Sequence, residues 1–257
     1  PDWRWFFMVW NDYLSASDLL FLGFTAVFLL LESRFPNKRY ESNRRWFLLS
    51  GLLLLSGVLL TTSIGFLLDG FFHFSGFYPA LSAIWTDSPP VLNGLIGYLF
   101  VTFMNYWWHR FRHQSDLLWR SFHQIHHSTH RIQALAAFYS HPFDYLSTVL
   151  IVNFVAYGLL GFSIESAAFT TAWVGIFEIW EHTNIRTPIW LGYVIARPEM
   201  HRIHHEFGKH QNNYGLPLWD MLFGTYENSN RQVDCGFAQQ REDRVLDMLL
   251  LRDVHKS

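Results

Sequence analysis

The sequence predicts an all-α protein, a multi-pass transmembrane helical bundle of about four or five spans with a cytoplasmic helical cap that carries clustered histidines. Three observations point there. Half of the 257 residues are hydrophobic and only 16% are charged, well below the roughly 25% of an ordinary soluble domain. Five apolar stretches approach the length needed to cross a bilayer. Polar segments between them hold most of the 14 histidines, which keeps mean hydropathy at +0.08.

Crossing a hydrocarbon core of ~30 Å takes about 20 mostly apolar residues in a helix. The stretches that qualify are Asp18–Leu31, Trp46–Phe72, Val91–Trp108, Tyr145–Phe162 and Ile164–Trp180. The second is long enough to cross with tilt, and the first is short unless 13–17 joins it. The last two are separated by Ser163 alone and read as a tight hairpin or re-entrant pair. Thr170, Thr171 and Gly175 are small enough there to let helices pack closely. The aromatic-rich Trp3–Trp10 reads as an interfacial anchor, and Pro1-Asp2-Trp3-Arg4 lacks the pattern of a signal peptide. The length suits one domain, 1–257, with an N-terminal part at 1–90, a histidine-rich core at 91–227 and a tail at 228–257.

The loop after the first span carries Arg34, Lys38, Arg39, Arg44 and Arg45, whereas the loop at 71–90 has neither Lys nor Arg. The positive-inside rule places the first loop in the cytoplasm, and counting onward puts every dense histidine group on that same face. A net charge of −2 and no long basic run give no sign of a nucleic-acid partner. The single cysteine, Cys235, makes no internal disulfide.

Seven histidines fall between 109 and 141 and five between 182 and 210. His109 and His113 form an HxxxH pair continuing the third span, so they share one helical face. His123, His126 and His127 form HxxHH, a pattern repeated by His201, His204 and His205; such a helix is expected to turn three imidazoles toward one point. Neutral imidazole suits iron, zinc, copper and nickel. With His182 the candidates number nine, too many for one ion of four to six ligands and suited to two. His130 and His210 read as polar surface residues, and His73 and His255 have no partners in the sequence.

These boxes, in this order and between spans, resemble the fatty acid hydroxylase/sterol desaturase superfamily over about 105–227. Trp108, Trp119 and Ser140-His141-Pro142 are similar to family features as well. The resemblance implies an integral membrane oxygenase with two iron ions, zinc being possible in purified protein. It implies hydroxylation or desaturation of a sterol, fatty acyl chain or related lipid, with O2 and electrons from a separate reductase, cytochrome or ferredoxin. Glu178 stands where some members have a further histidine; a carboxylate there can bind a metal, orient His182 or end the span, and for Glu178 and the adjacent Glu181 the orienting role is the expected one. Asn184 is a candidate for bonding a metal-bound water or His182, and His141 for supporting or binding the metal. The membrane is expected to be a bacterial inner membrane, or else the endoplasmic reticulum.

Other classes fit less well. A metallopeptidase needs HExxH, and His205-Glu206-Phe207-Gly208-Lys209-His210 has one residue too many. A metal transporter or a haem-binding electron carrier needs polar or axial groups inside the spans, whereas these histidines sit at span ends.

Overall fold

A computed structural model describes the backbone of residues 3–74 and 80–255, and the side chains of 16–68, 70–71, 82–238 and 241–255. The side chains of 3–10 and of His73 therefore lie outside the described residues. Among the described residues ten α-helices run in the order α1 (Trp3–Arg34), α2 (Arg44–Phe74), α3 (Pro90–Gln114), α4 (Asp116–Leu118), α5 (Gln124–Ser128), α6 (Pro142–Asn153), α7 (Ile164–His182), α8 (Pro198–His204), α9 (Pro217–Phe223) and α10 (Val245–Leu249). No strand occurs among the described residues beyond one isolated bridge, Glu206 to Cys235.

Helices occupy all five apolar stretches, and the protein is a membrane protein. Three are long and apolar enough to cross a bilayer: Ala16–Arg34, Arg44–Leu68 and Pro142–Leu159. The last continues α6 through a π turn at Phe154–Leu159. α3 and α7 are long enough but more polar, with histidines at their C-terminal ends. The exposed face of α3 still shows apolar side chains, as at Leu92, Leu95 and Phe103, in the inside-out pattern that lipid solvation allows.

α7 packs between α1 and α3, and α2 packs against α6. Small residues permit this closeness. A Cβ on Gly94 of α3 would lie 2.5 Å from the Phe169 Cβ and 2.7 Å from its carbonyl carbon, and one on Gly175 of α7 would lie 2.7 Å from the Phe21 ring. Proline at the first turn of α3, α6, α8 and α9 presets the helical φ where an amide has no partner to lose. The segments from α4 onward to α5, with α8 to α10, close over one end of the bundle.

The 35–43 loop is tied to that end. Lys38 N–H donates to Asn184 Oδ1 at 3.1 Å, and Asn184 Nδ2 donates to the Lys38 carbonyl at 2.6 Å. Glu32 Oε2, at the end of α1, accepts from the amides of Ala134 and Asn184, each at 2.8 Å. The basic loop and the histidines thus share one end of the molecule.

Candidate metal centre

The nine candidate histidines come from five places: His109 and His113 from the end of α3, His123 from a π turn at Trp119–His123, His126 and His127 from α5, His182 from the end of α7, and His201, His204 and His205 from α8 and its cap. They form two groups. The ligating atoms of His109, His113, His123, His127 and His204 lie within 4.8 Å of one another, as do those of His126, His182, His201 and His205.

The partition corrects the expectation that each HxxHH aims three rings at one point. The i and i+4 rings (His123 with His127, His201 with His205) stay together, and the i+3 ring (His126, His204) crosses to the other group. At ~3.6 residues per turn, positions i+3 and i+4 diverge by about 100° around the axis, so each motif straddles two centres. The groups share a wall, where the His127 and His205 rings stack at a centroid distance of 4.1 Å.

Inside the groups the Nε2 atoms face one another. His109 lies 2.8 Å from His123, His123 3.1 Å from His127, and His127 3.1 Å from His204. In the second group His126 lies 3.2 Å from His182, His182 2.9 Å from His201, and His201 3.0 Å from His205. The Nδ1 side settles which nitrogen carries hydrogen. A carbonyl can only accept, so the Nδ1 atoms of His109, His182 and His204 donate to the carbonyls of Tyr214 (2.7 Å), Glu178 (2.7 Å) and Asn212 (2.6 Å). Their Nε2 atoms are then bare lone pairs. His123 Nδ1 donates to Asp144 Oδ2 at 3.3 Å, so the close His109–His123 pair has no proton between its Nε2 atoms. His113 Nε2 is buried with no partner at all.

Converging lone pairs repel unless a cation sits among them, and the donor set therefore fits metal ions. Burial pushes all nine imidazoles below their usual range, His204 to about 3, with the neighbouring imidazoles adding to the effect for most of them. Neutral imidazole is the form that ligates.

Sequence reasoning missed several supports of this centre. Asp144 bridges two of its parts: one oxygen is paired with Arg112, between the two α3 histidines, and the other faces His123. Both side chains are nine-tenths buried. His210, expected at the surface, is 5% exposed and its Nδ1 lies 3.1 Å from His127 Nδ1. Left-handed backbone at His210, Asn212 and Asn213 folds this loop back over the first group. His255 packs on Trp119 and Phe237 beside it. His130 is half-buried, its Nδ1 2.7 Å from the Cys235 carbonyl.

The three further candidates, His141, Asn184 and Glu178, have partners of their own. His141 belongs to neither group: its Nδ1 caps α6 by accepting from Phe143 N–H at 3.0 Å, and its Nε2 lies 3.5 Å from the Leu249 carbonyl. The Asn184 side chain holds Lys38 and accepts from Arg202 at 3.2 Å. Glu178 orients His182 through its main-chain carbonyl, while its carboxylate lies 4.0 Å from that ring. Glu181 Oε1 lies 3.5 Å from His201 Nδ1. Glu178, Glu181 and His182 also bring ligating atoms within 4.8 Å of one another.

A cavity of about 550 Å³ runs from between α1, α2, α3, α6 and α7 up to the histidines. Phe21, Leu54, Val58 and Phe177 line its membrane part, and His109, His123, His126 and His201 lie at its inner end with Arg112 and Glu178.

Fold and site define a class: a helical membrane protein with two buried imidazole clusters at the inner end of a largely apolar cavity. The sequence profile of the fatty acid hydroxylase family matches residues 94–225, just over half of the chain. The chain belongs to that family. It is 31% identical to the ornithine lipid hydroxylase OlsE of Rhizobium tropici over 62% of this chain and 51% of that protein. It is 27% identical to human (Homo sapiens) alkylglycerol monooxygenase over 55% of this chain and 32% of that one, and 28% identical to sphinganine C4-monooxygenase 1 of Arabidopsis thaliana over 51% and 54%. The alignments thus span about half or less of these relatives' length. No solved structure matches the chain.

Proposed function

We propose that this protein is a membrane-bound, O2-dependent lipid hydroxylase in which each histidine group holds one iron ion. The observation that carries this reading is the convergence of imidazole Nε2 atoms in two adjoining groups at the end of a membrane-facing cavity. When bound, a pair of iron ions supplies activation of O2 for attack on an unactivated C–H bond. The balance is one C–H bond, O2, two electrons and two protons giving an alcohol and water. The electrons come from a separate reductase, cytochrome or ferredoxin.

The chain's own residues supply position. The carbonyls of Tyr214, Asn212 and Glu178 fix the ring tautomers, and Asp144 does the same for His123. The apolar part of the cavity takes the body of a lipid entering from the bilayer and excludes water from the reacting carbon. Relatives named for ornithine lipids, alkylglycerols and sphinganine support a lipid as substrate, such as a sterol, fatty acyl or related lipid, and hydroxylation is favoured over desaturation because these relatives are named for it. The basic 35–43 loop tied to Asn184 supports a cytoplasmic site, in a bacterial inner membrane before an endoplasmic reticulum. Nε2 separations of 2.8–3.2 Å leave no slot for a haem plane, which disfavours a haem-binding electron carrier.

The test is metal content per chain by elemental analysis, in the wild type and in His126→Ala/His204→Ala, which removes one ring from each group. About two metals per chain are expected, zinc counting as occupancy, with loss in the double variant. Iron-loaded protein given reductant, O2 and candidate lipids should then add one oxygen atom to one of them. Absence of metal, or unchanged stoichiometry in the variant, sinks the proposal.

A further inference from the structure

The cap has two unlike sides. From 187 to 196 there is no charged residue, and from 211 to 226 the one acid, Asp220, is fully buried, accepting from the amides of Tyr214 and Gly215 and from the Thr225 hydroxyl. From 227 to 253, by contrast, ten residues are acidic or basic. On the uncharged side the exposed apolar side chains have no charged residue among them. On the 3-10 turn Ile189–Tyr193 and just after it, Trp190, Tyr193 and Val194 are 62–63% exposed; on α9, Leu218, Met221 and Leu222 are exposed, Leu222 at 64%. Polar groups point inward and apolar groups outward, the reverse of a water-facing element.

Position explains the reversal. Trp219 of α9 donates from Nε1 to Thr102 Oγ1 at 3.0 Å and packs edge-on against Phe103. Phe223 packs on Tyr106 and Trp107. α3 carries no charge from Pro90 to Trp108, and Thr102 lies six residues before the end of that run, about 9 Å along the axis at ~1.5 Å per residue. α9 therefore sits beside α3 at a depth where α3 still shows Leu99, Phe100 and Phe103 outward. Its own exposed side chains continue that surface.

We propose that the 189–194 turn and α9 are embedded in the lipid leaflet on the histidine side, as a membrane-bound edge of the cap, with phospholipid as the partner that covers them. The uncharged surface, its aromatic residues suited to the headgroup region, and its continuity with α3 all favour lipid over a protein partner. The same edge flanks 214–216, which line the cavity, so it also fixes the cavity mouth against the bilayer. This inference rests on the membrane reading of the chain and not on its metal content.

Cys235 is the sole cysteine and is buried, so a Cys235→Ser background accepts single nitroxide labels. Val194→Cys and Leu222→Cys, labelled in the full chain and reconstituted into phosphatidylcholine liposomes, are compared with Leu52→Cys on α2 and Asp234→Cys on the polar side. The proposal expects collision with O2 well above collision with a water-soluble nickel chelate at 194 and 222, as at 52, and the opposite at 234. Nickel access at both sites matching that at 234 overturns it, because the edge then faces water. Labels immobilised and shielded from both reagents also overturn it, because the cover is then protein.

Discussion

Asp144 serves the fold through Arg112 and, on the proposed reading, the metal through His123, and comparing single and double variants separates the two roles. Its carboxylate compensates the buried Arg112 guanidinium and accepts from His123 Nδ1. Replacing it with Asn leaves that guanidinium buried beside a neutral group. Removing one partner of a buried ion pair costs about 3–5 kcal/mol. Loosening a ligand's outer hydrogen bond lowers metal affinity by roughly 10–100-fold. Replacing both partners by apolar side chains, as in Arg112→Met/Asp144→Leu, is often neutral for stability yet leaves His123 without its acceptor. The expectation is a single variant weak in both respects, and a double variant that regains stability without regaining metal. Unfolding in detergent reads the first property, and iron retained against a chelator over time reads the second. One of the two metals should leave faster, because His123 serves the five-histidine group only. A folded Asp144→Asn protein that retains both metals as firmly as the wild type would refute the reasoning.

Further expectations follow from individual environments. In the folded protein His210, which is none of the nine, is pushed by burial from 6.5 down to about 3. A depressed histidine contributes stability that is complete above pH 6.5 and declines toward pH 3, as the unfolded chain takes up protons the folded one refuses; a flat stability profile across that range contradicts the burial described. Gly94→Ala forces its methyl against the backbone of Phe169 and should cost about 1–3 kcal/mol, whereas Gly51→Ala, with open space around it, should be tolerated; melting temperatures in detergent compare them. His141→Ala should lose about 1 kcal/mol of α6 capping and keep full metal content, and Glu178→Gln should keep it too, since His182 is held by a carbonyl that the substitution leaves in place. A metal lost from either protein assigns that residue as a ligand.

The parts of the centre legible in the sequence are those that repeat at helical spacing. His109 with His113, and the two HxxHH motifs, announce themselves because i, i+3 and i+4 neighbours meet on a helix. Their allocation to two groups was hidden, since it depends on how α5 and α8 face each other across the centre. The Tyr214 and Asn212 carbonyls left no trace, because any residue can present a main-chain oxygen. His210 was misread for a similar reason: its partner, His127, is 83 positions away, and only the left-handed turns of 210–213 bring it inward. Asp144 and Arg112 each looked ordinary, one near a helix start and one among basic neighbours, until packing made them a buried pair. The spans at 18–31 and 46–72 were plain from unbroken apolar runs, whereas α3 and α7 dilute theirs with the glycines, threonines and asparagine that bring helices together.

On the proposed reading, metal uptake and closure of the cap are one event. The five-histidine group needs α3, the π turn, α5 and α8 at once, and the four-histidine group needs α5, α7 and α8. Neither is complete within the spans, and each draws on α8. With the tautomers of His204 and His182 fixed by Asn212 and Glu178, docking α8 without cations buries imidazole nitrogens about 3 Å apart with no cation to take up their lone pairs, so apolar burial is opposed by the cost of desolvating these rings. Cations reverse the sign of that term, and their binding energy becomes folding energy of the cap. Chelation should therefore raise amide exchange across 198–215 while the lipid-packed α2 and α6 stay protected. Equal loosening of cap and spans, or none, would show that the cap closes without its metals.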